Sequence, residues 1–480
     1  MKFLKENGPH IKSEDTTSKI MTRFLIALAP IVCFAIFKNS VLVYYYSEAT
    51  IIEALHPVFM IISAIFTSFL SELLYFRLVL KKNCRESLFE INRSFTIIPG
   101  LLLALVLPPN VPIWLVIFGT FCANVLGKML YGGFGQNIFN PALIGYLIIG
   151  ASYSSLMGSS LNLYEIDTLA GATPLSNLAS IGYYGNYENI VGSFGTLMNF
   201  FSGTIPGSLG ETSKLLIIIA FIYLTITKTI KWRIPVAYIS ISFFMTIIIG
   251  HNIESGIWYS LFHILSGGLL FGAVFMATDP VTSPLTPIGQ TFYGISLGIL
   301  TIALRFLTPY PEGVMTSILF MNMLVPLFDK IGVYFKYNFR KIWIIVITFV
   351  LVTALLIFNI SNNINYSKNK KPTSELDDKV TIVKVNTESD RTIYSVTSKA
   401  WGVIKANVEV INGEIKSIVI TDSSSETQWS EIEKNDYVNK VIANQNNIDN
   451  LDAVSGSTFS SNGIKNIVKK IIEEELKNEK

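Results

Sequence analysis

Two threonines stand in the same seven-residue setting far apart in the chain. Asp167-Thr168-Leu169-Ala170-Gly171-Ala172-Thr173 and Asp452-Ala453-Val454-Ser455-Gly456-Ser457-Thr458 both read Asp, two variable residues, Ala or Ser, Gly, Ala or Ser, then Thr. At average residue usage, two copies are too many for chance. Small neighbours and a Gly leave the hydroxyl open to approach by something bulky. That is the local chemistry of a modified hydroxyl, with the Thr oxygen as acceptor, rather than of a packed core. A turn Thr after a flexible Gly is the structural alternative for either copy alone.

Other residues offer chemistry inside apolar surroundings. Gly132-Gly133-Phe134-Gly135-Gln136-Asn137-Ile138-Phe139-Asn140-Pro141-Ala142 combines glycines for tight turns with two amide side chains. In a bilayer such groups must face protein, water or a ligand. One reading is a turn leading into a short helix. The other, built on Gly135, Asn137 and Asn140, is a cradle for a polar ligand such as a flavin or an ion. Asp279, in Thr278-Asp279-Pro280, is a carboxylate at the end of an apolar run, and such residues are functional candidates by default. Glu72, Arg77 and Arg305 are weaker candidates, expected to snorkel to the interface. The three cysteines are far apart with no CxxC spacing, and the four histidines show no ligand spacing, so neither a disulfide framework nor a metal site is expected. No residue set suggests bond-making catalysis.

These residues need elements to hold them. Half of the 480 residues are apolar and 15% are charged, a membrane-protein profile. The net charge of +3 comes without a basic patch interleaved with aromatics, so no nucleic-acid partner is expected. Apolar runs centre on residues 22–38, 56–79, 95–107, 112–129, 140–151, 214–229, 234–250, 257–277, 289–306, 313–328 and 342–360. The third and fifth fall short of the roughly 20 residues of a full span, and short segments of this kind mark broken helices around buried sites. The first run lacks a cleavage site and reads as a retained span. Lys and Arg cluster at 2–23, 77–93, 228–233 and 330–341, and none lies between Lys128 and Lys214. The positive-inside rule then puts the N-terminus in the cytoplasm and the loop bearing Thr173 outside. One more crossing carries everything after Asn362 outside too, so both heptads fall on one side.

The expected architecture is a polytopic α-helical membrane protein of about ten spans, one further span, and a small extracytoplasmic α+β domain. Leu105–Pro112 matches Met276–Pro284 loosely, and Gly132…Asn140-Pro141 matches Gly313…Asn322…Pro326. Five spans per half would make two inverted repeats, an arrangement typical of transporters. Boundaries are placed at 1–340 for the membrane domain, 341–361 for the last helix, 362–378 for a linker and 379–480 for the outer domain. In that domain, 380–385 reads as a strand. Residues 405–411 and 414–421 alternate around the Asn412-Gly413 hairpin turn. Ile464, Ile467, Val468, Ile471 and Ile472 recur at helical spacing, with Ser460 or Ser461 as the expected cap.

Residues 1–340 resemble the RnfD component of the Rnf ion-translocating oxidoreductase and the NqrB component of the Na+-translocating NADH:quinone reductase. The segments that carry the likeness are 132–142, 167–175 and 276–284. Residues 342–480 are similar to the FMN-binding domain of the RnfG component, through one leading helix, Ser425-Glu426-Thr427 and the second heptad. The resemblance implies FMN joined through its phosphate to Thr173 and Thr458 by a separate flavin transferase, outside the cytoplasmic membrane. It brings Asp167, Gly171, Asp452, Ser455, Gly456, Glu426 and Thr427 in as neighbours of the cofactor. In some relatives it implies a further, non-covalent riboflavin or FMN. The chain departs from the family pattern at Ala170, at Ser457 and at Gln428-Trp429, where Pro and Gly usually follow.

The implied activity is relay. Electrons would pass between the two tethered flavins and centres in partner subunits, iron–sulfur and NADH-side flavoproteins. Spans would couple that redox (of ferredoxin/NAD type) to Na+ or H+ movement. Two alternatives stay open. One is a non-pumping extracytoplasmic flavin protein; the other is a small-solute transporter with an appended domain.

Overall fold

The computed structural model describes residues 16–46, 50–153, 156–157, 173–180, 182–211, 213–253, 255–308, 313–337, 339–369, 380–388, 391–399, 403–411, 414–423, 436–444 and 458–478. The chain forms two compact units, Met1–Lys368 and Asn369–Lys480.

Every apolar run of the first unit is helical. α1 (Thr17–Tyr45), α2 (His56–Val79), α5 (Ile113–Tyr131), α9 (Arg233–Asn252) and α12 (Pro287–Leu307) are long and apolar enough to cross a membrane, as is residues 346–364 of α15 (Phe339–Asn369). Three further runs are pairs bent by 51°, 63° and 63°: α3 (Cys84–Ser94) with α4 (Ile97–Val106), α10 (Ile257–Leu265) with α11 (Leu269–Met276), and α13 (Val314–Met323) with α14 (Val325–Phe335). By length and composition this makes six to nine spans among the described residues. α6 (Pro141–Ser152) and α8 (Lys214–Ile226) are apolar but shorter than a bilayer needs.

Local chemistry sets these ends. Asn140 caps α6, its Oδ1 accepting the Ala142 N–H at 3.1 Å, and Pro141 starts the helix without losing a bond. Thr286 and Pro287 open α12 in the same way. Phe95 separates α3 from α4, at the start of the third run, with a left-handed φ of 50°, unusual for an aromatic residue. The runs at 257–277 and 313–328 are each broken. The eighth turns at Ser266-Gly267-Gly268, where Gly267 has φ +64°. The tenth turns at Leu324, two residues before Pro326, whose missing N–H cannot continue a helix. The fifth, expected to be interrupted, is one straight short helix.

The packing repeats. α2 packs on α4 and α5, and α5 on α6; α9 packs on α10 and α12, and α12 on α13. The halves meet where α1 lies on α8 and α6 on α13. The same order of packing thus recurs in both halves. Small residues permit the closest approaches: a Cβ on Gly145 of α6 would lie 2.5 Å from the Gly119 carbonyl oxygen of α5. Phe66, Ile219, Phe244 and Phe320 point away from this core, as residues facing hydrocarbon do. α15 belongs to the same unit: Phe349 lies 5.3 Å from the Phe292 ring, and Asn252 Nδ2 donates to Ser361 Oγ at 3.0 Å.

The second unit is an antiparallel meander, β1 (Val380–Glu388), β2 (Arg391–Lys399), β3 (Val403–Ile411) and β4 (Glu414–Ser423), in sequential order. α16 (Tyr437–Ala443) and α17 (Thr458–Asn478) cover it. Tyr394, Val396, Val408 and Val410 from the sheet meet Val441, Ile464, Ile467, Val468 and Ile471 in one core. The Ser/Thr-rich β2 was not anticipated. Its inward residues, Tyr394 and Val396, alternate over only a few positions. The cap of α17 also differs. The helix begins at Thr458, so Ser460 and Ser461 lie inside its first turn, and Ser461 is buried.

Candidate functional site

Thr173 immediately precedes the short helix α7 (Pro174–Ser180) (numbered by its place in the chain). Its carbonyl accepts the Asn177 N–H at 2.9 Å and the Ser176 hydroxyl at 2.8 Å. Its own hydroxyl, half-buried, donates to Ser176 Oγ at 3.0 Å. An ester at this oxygen would cost one donated bond and leave the backbone turn intact. Thr458 is the first residue of the 21-residue α17, where free backbone N–H groups favour a phosphate. Asp167, Gly171, Asp452, Ser455, Gly456, Glu426 and Thr427 lie outside the described residues, as does the side chain of Thr458.

Beneath Thr173 the chain rests on the break between α10 and α11. A Cβ on Gly267 would come 2.8 Å from Leu175 Cδ1 and 3.4 Å from Arg305 Nη2. Tyr183, just past α7, donates from its hydroxyl to the Arg305 carbonyl at 2.7 Å and accepts Tyr259 Oη at its own carbonyl at 3.0 Å. Partial burial raises the Tyr183 phenol above its ordinary pKa, so it stays a neutral donor.

A second cluster surrounds the glycine-rich stretch. Asn137, Asn140, Phe134, Lys128 and Asp279 line one cavity with Phe95, Pro99 and Phe275. The structure thus unites two of the three cradle residues with the carboxylate singled out from sequence. Gly135 is exposed, has φ +87° and is not part of that lining. The cavity encloses about 50 Å³, room for water or an ion as it stands. A flavin ring here needs the Phe95–Phe134 pair, 5.4 Å apart, to part. Asp279 accepts from Thr282 Oγ1 at 2.9 Å. Asn140 also ties the halves together. With the Asn322 amide turned to satisfy both its ends, Asn322 Oδ1 accepts the Asn140 N–H at 3.1 Å and its nitrogen faces Tyr293 Oη at 2.8 Å.

Glu72 and Arg305 do not snorkel. Glu72 is fully buried; its two oxygens accept Lys128 Nζ at 2.6 Å and Thr96 Oγ1 at 2.6 Å. Lys128 also donates to the Ser94 carbonyl at 2.7 Å, the end of α3. Arg305 is 1% exposed and donates to the carbonyls of His263 at 2.5 Å and Ser266 at 3.3 Å, the end of α10. In each case burial is tolerated because the charge is hydrogen-bonded to the orphan carbonyls of a broken helix. Only Arg77 behaves as expected and is exposed. Lys128 was not anticipated; its partners are 56 and 34 residues away in sequence, with no local signal.

Comparison with known proteins fits this picture. Residues 4–340 match the model of the NQR2, RnfD, RnfE family, and residues 400–473 match that of the FMN-binding domain. The D component of the proton-translocating ferredoxin:NAD(+) oxidoreductase complex from Clostridium ljungdahlii is 35% identical over 341 residues, 71% of this chain and 97% of that protein. The B component of the Na(+)-translocating NADH-quinone reductase from Ectopseudomonas mendocina is 40% identical over 248 residues, 50% of this chain, and the chain spans 60% of its length. The corresponding B component from Yersinia pestis is 36% identical over 260 residues, 52% of this chain and 62% of its own. The chain belongs to the NQR2, RnfD, RnfE family of membrane-embedded oxidoreductase subunits and carries an FMN-binding domain at its C-terminal end.

Proposed function

We propose that the chain is an electron-relay subunit of an ion-translocating oxidoreductase, with FMN joined by phosphoester bonds to Thr173 and Thr458. The observation that carries this reading is the shared heptad. Each copy ends on a threonine that opens a helix, one in each unit. FMN supplies one- and two-electron exchange. The chain supplies position. Thr173 fixes one tether over the break between α10 and α11, and Thr458 fixes the other at the start of α17. Asp167, Gly171, Asp452, Ser455, Gly456, Glu426 and Thr427 complete the two settings in this reading. Both threonines face outside the cytoplasm, the side assigned by the Lys and Arg distribution, where a transferase would load them.

On the opposite side, the cavity at Asn137, Asn140 and Asp279 offers amide oxygens and a carboxylate to a cation or a proton in transit. Gly135 lets the chain turn beside it. A non-covalent flavin there, riboflavin or FMN, is the more demanding occupant because the aromatic pair must open. Partners are iron–sulfur and flavoprotein subunits that feed or drain the relay. The domains in this reading are a membrane domain over 1–340, a flavin domain over 379–480 and, between them, a helix at 341–361 and a linker at 362–378; the helix itself runs on to Asn369, so the linker is shorter than the sequence suggests.

Fluorescence of the denatured protein in a gel, from cells that contain the transferase, tests the tethers. Thr173→Val and Thr458→Val should each remove one flavin, and the double variant should be dark. A dark parent chain would end this reading. Ion movement driven by redox turnover in vesicles tests the coupling. Turnover without ion movement in the assembled complex would leave the non-pumping flavin protein as the function.

A further inference from the structure

The two broken helices at equivalent places in the halves, α3–α4 and α10–α11, are closed by the same device. A buried cation from the fourth helix of the half, Lys128 on α5 or Arg305 on α12, donates to the carbonyls where the first piece stops. The surroundings differ. At the α3–α4 break the cation is bonded directly to a carboxylate, Glu72, at 2.6 Å. At the α10–α11 break more cations gather. Lys214 Nζ donates to the Gly267 carbonyl at 2.8 Å and to the Glu211 carbonyl. Lys38, in a π-helical turn of α1, donates to the Ile205 carbonyl. Lys38 and Lys214 are 2% and 1% exposed. Glu211 spends one carboxylate oxygen on the Ser208 N–H at 3.1 Å.

Arg305 and Lys214 both meet Gly267, where the chain that follows Thr173 packs. Leu175, two residues on, sits against Gly267 beside the Arg305 guanidinium, and Leu175 is itself buried. Fixed charges in a water-poor interior act over greater distances than they do in water. They also cost no reorganisation when a new charge arrives.

We propose that Arg305 and Lys214 are positioning residues that raise the reduction potential of the flavin tethered at Thr173; this rests on the assignment of that tether. Taking up one electron adds one negative charge to the flavin and breaks no bond. Buried cations nearby stabilise the charged form relative to the oxidised form, so the electron is held more firmly on this side of the unit.

The test uses the full chain with Thr458→Val, so that Thr173 carries the covalent flavin. Anaerobic titration with dithionite as electron donor gives the midpoint potential from flavin absorption. The same titration of the Thr173→Val/Thr458→Val chain is subtracted. Lys214→Met and Arg305→Gln should each move the midpoint negative, whereas Arg305→Lys, which keeps the charge, should stay near the parent. Arg305→Gln strips two buried carbonyls of a charged donor and can compromise folding, so Lys214→Met provides the reading independently. A midpoint unchanged in the charge-removing variants that still fluoresce at Thr173 overturns the proposal. If the Thr458→Val chain carries no covalent flavin, the tether assignment fails first and this inference fails with it.

Discussion

At the scale of single residues, buried charge is the feature with the largest energetic stake. Lys128 and Glu72 are 2% and 0% exposed and share one short bond. Removing one member of such a pair strands the other in a low dielectric, at a cost of about 3–5 kcal/mol. Lys128→Met should therefore lower the thermal unfolding temperature of the detergent-solubilised chain sharply, and Lys128→Met/Glu72→Gln should recover part of the loss. Equal destabilisation by the single and double variants would contradict this pairing. Legibility at this scale was uneven. Thr173 and Thr458 could be found because their surroundings recur as a contiguous pattern. Asp279, Asn137 and Asn140 could be found because polar groups are conspicuous in apolar sequence. Lys128 and Lys38 could not, because their partners are brought together only by helix packing, and the Lys214 bond to Gly267 spans 53 residues. Glu72 and Arg305 were noticed but misjudged. Snorkelling assumes that no polar group lies inside, and the broken helices supply carbonyls there.

At the scale of elements, helix breaks decide what the membrane unit can hold. Each apolar run seen in the sequence is a helix, since length and hydropathy suffice to specify that. The breaks were less visible. The third run is the single helix α4, with the bend just ahead of it at Phe95, whereas the eighth hid its break behind two glycines flanked by apolar residues. Gly267 there has φ +64° and no room for a side chain against Leu175. A β-branched residue is strained in that backbone conformation by roughly 1–2 kcal/mol before any clash. Gly267→Val should thus displace α7 and lower flavin loading at Thr173 several-fold, read as in-gel fluorescence in the Thr458→Val chain. In the Thr173→Val chain, loading at Thr458 should be unaffected. Loss of both signals together would point to general misfolding instead of a local effect.

At the scale of the whole molecule, the two units differ in how they are stabilised. The membrane unit has two halves with the same order of packing, and α15 docks on it through Phe349 and Ser361. The second unit has its own core between the β1–β4 sheet and helices α16 and α17. Residues 379–480 expressed alone should melt cooperatively by circular dichroism and accept one flavin when the transferase is present. A non-cooperative melt would show that this core needs the rest of the chain. Joining two carriers in one polypeptide raises the effective concentration of each for the other. The whole account depends on both threonines bearing flavin. Peptide mass mapping of the mature full-length chain tests this most directly. The account predicts an FMN phosphoester on the peptide containing Thr173 and another on the peptide containing Thr458. Two unmodified threonine peptides from cells that contain the transferase would contradict it.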